Sequence, residues 1–386
     1  MFPKLRFQEF DGAWSNSKID DIAVVTSGGT PSRSNLTFWD GNIPWVTTSL
    51  VDFNIIQSAE EFITQKGLDN SSAKLFPKNT ILMAMYGQGI TRGKVAILGI
   101  DATTNQACAA IKLQSNYDTQ FIFQNLMSRY EEIRDLSNDG GQKNLSAGII
   151  KEIEVYYPEK TEQIKIASFL SVVDEKISQL TQKHELLSQY KQGMMQKLFS
   201  QQIRFKADDG SEFGEWVDWK FASCIDIFDN LRKPVSASER KVGFTPYYGA
   251  NGIQSYIDGY THEGEFILIA EDGANDLINY PVQYVNGKIW VNNHAHVVSG
   301  KQHIVDNKFL KYRLGSIDFT KYLVGGGRAK LNAGAMKEIT FLLPCLEEQT
   351  KIANFLSAID QKVEVVAQQI KQAKTWKKGL LQQMFI

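Results

Sequence analysis

The chain has 386 residues, 43% hydrophobic and 11% aromatic, which suits two or three cored domains rather than one. Cys108, Cys224 and Cys345 are scattered and odd in number; they form neither a metal spacing nor a disulfide framework, which fits a reducing cytoplasm, and with no apolar stretch in its first residues and no apolar run of membrane-spanning length, neither a signal peptide nor a membrane span is expected. The formal net charge of −1 argues mildly against unaided nucleic-acid binding, although a partner subunit or local basic loops can supply the grip on phosphates.

In the first half, β-rich runs bounded by Gly and Asn predict strands at 43–46, 80–86 and 94–98, followed by a helix around 119–136. Gly87 to Val95 looks at first like a phosphate loop, but the spacing fails by one residue and Val95 stands where Ser or Thr should hold magnesium. A hairpin turn is the expectation there. The glycine loop Gly140-Gly141-Gln142-Lys143-Asn144 leads into a long helical pattern. Its apolar stripe includes Ile166, Leu170, Val173, Ile177, Leu180 and Leu187, with steps alternating four and three, the rhythm of a coiled coil.

The second half follows the same plan. Strands are expected at 265–270 and 288–291 and a helix around 307–322, before a loop containing Gly325-Gly326-Gly327-Arg328-Ala329-Lys330. Two histidines in Asn293-His294-Ala295-His296, with no adjacent Cys or carboxylate cluster, predict a polar strand end and no metal site. The final helical stripe includes Ile352, Leu356, Ile359, Val363, Val366 and Ile370. Each helix is expected to run about 35 residues, or roughly 50 Å.

These helical segments are two copies of one sentence. Glu162-Gln163 matches Glu348-Gln349, Lys165-Ile166-Ala167 matches Lys351-Ile352-Ala353, and Phe169-Leu170-Ser171 matches Phe355-Leu356-Ser357. A constant offset of 186 holds without a gap from Leu145 to Phe199, as from Lys151 to Lys337, so a domain has been doubled. Ile203-Arg204-Phe205 follows the first copy, while Leu5-Arg6-Phe7 stands at the chain start, so the termini are expected to lie together. Lys191 and Lys377 interrupt the stripe at the same repeat position, where a polar residue fixes register or simply snorkels.

No Pro-Pro pair seeds an amino-methyltransferase motif, no Pro-Asp pair seeds the common nuclease motif, and no nucleophile–base constellation is present. A free-standing methyltransferase or nuclease is therefore disfavoured. A stand-alone duplicated DNA-binding or scaffold protein is one reading that these residues leave open.

The doubled Glu-Gln-x-Lys-Ile-Ala-x-Phe-Leu-Ser block resembles the repeated regions of specificity (S) subunits of type I restriction-modification enzymes. Gly28-Gly29-Thr30-Pro31-Ser32, Ile43-Pro44-Trp45-Val46-Thr47, Tyr247-Tyr248-Gly249-Ala250-Asn251-Gly252 and Trp290-Val291-Asn292-Asn293-His294 resemble their target-recognition domains. The resemblance implies an α+β fold: two β-rich recognition domains with small helices, joined by two long antiparallel helices in a coiled coil, with a pseudo-twofold internal repeat. The corresponding bounds are 1–158 and 201–344 for the recognition domains, and 159–200 and 345–386 for the helices. It further implies a non-catalytic cytoplasmic chain that reads a split double-stranded DNA site. Two modification (M) subunits carrying S-adenosylmethionine dock on the helices, and restriction (R) subunits using ATP and magnesium join the full complex. No cofactor belongs to this chain itself.

Candidate DNA contacts are loop groups that suit base edges or phosphate. In the first half they are Thr47, Thr48, Ser49, Gln88, Arg92, Gln142 and Lys143; in the second, Tyr248, Asn251, Asn292, Asn293, His294, Arg328 and Lys330. Lys176 and Lys362, at equivalent positions, are candidates for docking the M subunits.

Overall fold

The computed structural model describes residues 2–87, 90–136, 144–325 and 329–385, in two units: 1–180 with 369–386, and 181–368. Among the described residues no helix is long and apolar enough to cross a membrane.

The first unit opens with β1 (Ser15–Lys18), α1 (Ile19–Ile22) and β2 (Ala23–Ser27). Strands β3 (Trp39–Val46), β4 (Ile55–Ile56) and β5 (Glu61–Ile63), then α2 (Gln65–Asp69), follow. Next come β6 (Ile81–Ala84), β7 (Val95–Leu98), β8 (Thr103–Thr104) and β9 (Cys108–Leu113). Helices α3 (Thr119–Ser128), α4 (Tyr130–Asp135) and α5 (Ala147–Lys151), then β10 (Glu154–Tyr157), lead to α6 (Lys160–Phe199). The strands form a five-stranded sheet, β2-β9-β6-β7-β4, a three-stranded sheet, β5-β3-β8, and the pair β1-β10. Antiparallel β6 and β7 pair as the hairpin expected around Gly87 to Val95, of which Gln88 and Gly89 lie outside the described residues. The strand expected at 80–86 is shorter, and the helix expected over 119–136 is broken: Arg129 has φ −102° and ψ 20°, off the helical path, and separates α3 from α4.

The second unit repeats the plan with β11 (Val217–Lys220), α7 (Phe221–Cys224), β12 (Ile225–Ile227), β13 (Val242–Gly249), β14 (Gly252–Ile257), β15 (His262–Ala270), β16 (Val282–Val291) and β17 (Ala295–Gly300). Helices α8 (Asn307–Leu314) and α9 (Ala333–Lys337), then β18 (Thr340–Leu343), precede α10 (Leu346–Met384). Here one six-stranded sheet, β12-β17-β15-β16-β13-β14, accompanies the pair β11-β18. The helix expected over 307–322 ends at Leu314; Asp318 then caps a short 3₁₀ turn over Phe319–Lys321 by accepting from the Thr320 N–H.

The doubled Glu-Gln acquires its meaning from packing. In the first unit Arg6 donates two hydrogen bonds, both 2.7 Å, to the fully buried Glu162. In the second, Arg204 donates to the fully buried Glu348 at 3.0 and 2.7 Å. Phe7 meets Phe169, and Phe205 meets Phe355, each with ring centroids 5.7 Å apart. Gln163 and Gln349 accept from the N–H of Asp118 and Asp306, the residues that cap α3 and α8, while donating to Pro158 O and Pro344 O. Each repeat thus ties the start of a long helix to its own β-rich part. The N-terminal segment completes the final copy, as expected: the Leu5 N–H bonds Gln383 O at 2.9 Å.

Helices α6 and α10 have 40 and 39 residues, longer than the expected 35, and each contributes to both units. Within the first unit Leu5 and Arg6 join Gln383 to Glu162 while Phe169 lies against Trp376, so the two segments run antiparallel. There Ile166, Leu170 and Val173 are buried in one core with Leu380 and Met384. In the second unit Leu198 shares a core with Ile352, Leu356 and Ile359. Leu180 and Val366 are buried; Ile177, Leu187, Val363 and Ile370 are half-buried. Each fully buried aliphatic side chain of this kind contributes about 1.5–3 kcal/mol. The stripe lysines do not snorkel to solvent at a fraying end. Lys377 bonds Asp174 and Lys191 bonds Asp360, both at 2.5 Å, so repeat-equivalent Lys–Asp pairs link the helices in each unit.

Candidate nucleic-acid interface

A common frame underlies the two dissimilar β-rich parts. In β3 and β13 the strand pairing slips between Trp39 and Ile43 and between Val242 and Thr245. A Cβ on Gly41 would lie 2.3 Å from Ile63 O, and one on Gly243 would lie 2.4 Å from Ile257 O, so both bulges need glycine. Three residues on come Pro44 and Pro246, then Trp45 and Tyr247, which bridge in parallel to Thr103 and Trp290. An arginine lies over each of these aromatic rings: Arg33 at 4.8 Å from Trp45 and 3.8 Å from Trp39, and Arg240 at 3.9 Å from Tyr247. Such stacking holds a guanidinium in place. Arg33 also pairs with both carboxylate oxygens of Glu61, whereas Arg240 donates to Val235 O, Ser255 and Gln254. Neither arginine was among the sequence candidates; the aromatic residue under each was visible, but the partnership crosses a loop.

The strand ends converge on a turn. The Asn292 N–H bonds Tyr248 O at 3.1 Å, and its side-chain oxygen accepts from the His294 N–H at 2.8 Å. Asn251 donates to Gly273 O and accepts from the Asn275 N–H, both at 2.9 Å. Asp272, beside Gly273, is 3.1 Å from Lys330 Nζ and 3.8 Å from His294 Nδ1. The second-half candidates Tyr248, Asn251, Asn292, His294 and Lys330 therefore gather around the 271–275 loop, with exposed Asn293 at the turn tip. Tyr248 is half-buried, and burial raises its phenol pKa.

The first-half candidates among the described residues do not gather in this way. Thr47 and Ser49 hydroxyls bond each other at 2.5 Å around a short 3₁₀ turn that includes Thr48. Arg92 donates to Arg134 O at 3.0 Å, which draws it toward α4. Gln88, Gln142, Lys143 and Arg328 lie outside the described residues.

His296 is not the polar strand end that was expected. It is 1% exposed, with Nδ1 2.6 Å from Asp229 and Nε2 2.8 Å from Leu331 O. Its Asp229 and Glu271 neighbours form a group with metal-like spacing. Arg232 stands there instead, 2.6 Å from Glu271 and 3.5 Å from Asp229, and also donates to Ala295 O. Both imidazole nitrogens are engaged and a guanidinium faces the carboxylates, so these groups form an ion-pair network beneath the surface. Burial alone would raise the Asp229 carboxyl, but hydrogen bonds from His296 and the Val297 N–H, with the nearby charges, hold it below the usual range.

Comparison with known proteins agrees with this plan. A Haemophilus influenzae protein that carries the name of a type I restriction enzyme specificity subunit is 48% identical over 147 residues, 38% of each chain. The chain thus spans under two-fifths of that relative's length. The EcoprrI specificity subunit of Escherichia coli is 25% identical over 361 residues, 89% of this chain and 86% of the relative. The type I restriction-modification S subunit from M. genitalium superposes with a TM-score of 0.67 at 19% identity, covering 100% of this chain and 99% of its own, which is a likeness of fold. The family model for the type I restriction modification DNA specificity domain matches residues 12–189 and again 216–375, and the chain belongs to that family.

Proposed function

We propose that this chain is the non-catalytic DNA-reading subunit of a type I restriction-modification complex. Each β-rich recognition domain, 1–158 and 201–344, reads one half of a bipartite double-stranded site. The helices over 159–200 and 345–386 set the gap between half-sites and dock two modification subunits, with exposed Lys176 and Lys362 on the docking faces. S-adenosylmethionine is the modification subunits' cofactor, and ATP with magnesium is used by restriction subunits in the full complex. The setting is the cytoplasm.

The observation that carries this reading is the contrast inside each repeat. The mounting is the same twice, Arg6–Glu162 and Arg204–Glu348, while the exposed groups above it differ. Sequence is read at base edges, so two unlike half-sites need two unlike surfaces on one scaffold. Helices of 40 and 39 residues are about 60 Å long, long enough for half-sites about one DNA turn apart.

Inserting seven residues at matched places in both helices adds about 10 Å, equivalent to about three base pairs. Methylated-adenine mapping in the host is expected to show a longer gap between unchanged half-sites. Changed half-site bases with an unchanged gap would overturn the proposal.

A further inference from the structure

The turn that organises the second unit's candidates has a counterpart in the first unit that the sequence candidates omit. The Asn105 N–H bonds Val46 O at 3.1 Å, as the Asn292 N–H bonds Tyr248 O at 3.1 Å. The Asn105 side-chain oxygen accepts from the Ala107 N–H at 3.1 Å, as that of Asn292 accepts from the His294 N–H. The Met85 N–H then bonds Ala107 O, and the Leu145 N–H bonds Met85 O; in the second unit the Glu271 N–H bonds His294 O, and the Leu331 N–H bonds Glu271 O. Four matched bonds place Gln106 where Asn293 stands.

Both middle residues are exposed primary amides on turns whose flanking backbone is fixed by strands. Gln106 is further held by Thr30, whose hydroxyl donates to its side-chain oxygen at 2.5 Å. That leaves the amide N–H groups and a second oxygen lone pair for a ligand. A primary amide carries adjacent donor and acceptor groups, the pattern that matches the N6 and N7 edge of adenine. A backbone pinned on both sides costs little further ordering when such a contact forms.

We infer that Gln106 and Asn293 are matched base-reading amides, one for each half-site, with Thr30 as the positioning residue for Gln106. This rests on the proposed function and adds to it which position in each domain reads a base. The test uses the full chain assembled with its modification subunits, with methylation of duplexes permuted one base pair at a time. Gln106→Ala is expected to relax one base position in one half-site, lowering discrimination there by roughly 5- to 150-fold. Asn293→Ala is expected to relax one position in the other half-site only. Thr30→Val should weaken discrimination at the Gln106 position alone. Wild-type preference retained in Gln106→Ala and Asn293→Ala would overturn the inference, as would a uniform loss of methylation across all sequences, the signature of a phosphate contact. A wild-type complex that methylates no split site would instead remove the proposed function beneath it.

Discussion

The two units share a mounting but satisfy it differently. Both bury a glutamate at the start of a long helix under an arginine from the preceding segment. In the second unit the Trp216 indole also donates to Glu348, at 3.0 Å. Its first-unit counterpart, Trp14, packs edge-on against Phe121 and leaves its buried N–H without a partner among the described residues. The helix-linking pairs differ in the same sense. Asp360 is 30% exposed and receives bonds from Lys191, Lys311 and Tyr312, whereas Asp174 is 44% exposed and pairs with Lys377. Duplication preserved the charge pair at each place, and later packing decided how much support surrounds it.

The largest expected effect tests the buried glutamates. Arg6→Ala leaves Glu162 buried without its cation and should cost about 3–5 kcal/mol. Arg204→Ala should cost about 1–2 kcal/mol less, because Trp216 still donates to Glu348. Guanidinium unfolding of both variants reads the order directly; equal losses would mean that the indole bond contributes nothing. A smaller contrast is expected between the helices: Asp360→Ala should cost about 1–3 kcal/mol through its three donors, and Asp174→Ala under about 1 kcal/mol. The reverse ranking would break the comparison.

The smallest effect concerns pH. Burial pushes the Asp360 carboxyl up, but the Lys191 and Tyr312 hydrogen bonds and the Lys311 charge outweigh it and hold the group below its ordinary range. A depressed folded pKa means that its stabilisation is fully present above the unfolded value of about 3.9 and is lost as pH falls through the folded one. Asp360→Asn should therefore narrow its stability deficit relative to the wild type below about pH 4. A deficit that stays constant from pH 7 to pH 3 would show that ionisation of Asp360 is irrelevant to stability.

Much of the architecture was legible in the chain. The offset of 186 revealed the doubled helices, and Leu5-Arg6-Phe7 revealed that the N-terminal segment completes the second copy. The interruption of the helix expected over 119–136 was hidden, since nothing in the local pattern marks Arg129 as off the helical path. The interface was legible in part. The second-half candidates were found from the chemistry of their loops, whereas Arg33 and Arg240 take their places from aromatic rings across a loop and Gln106 from Thr30, far earlier in the chain.

By itself the sequence determined the doubling, the helical stripes and the repeat-equivalent lysines, because periodicity and repetition are properties of residue order. Only tertiary structure decided what each buried charge faces, and that Gln106 and Asn293 occupy one place in two frames. The turns are offset by 187 residues, but their partners are offset by 202 at Val46 and Tyr248 and by 186 at Met85 and Glu271, so no single alignment shift brings the turns and their partners together. Hydrogen bonds between strands do so, because backbone pairing depends on position in the sheet and not on residue number.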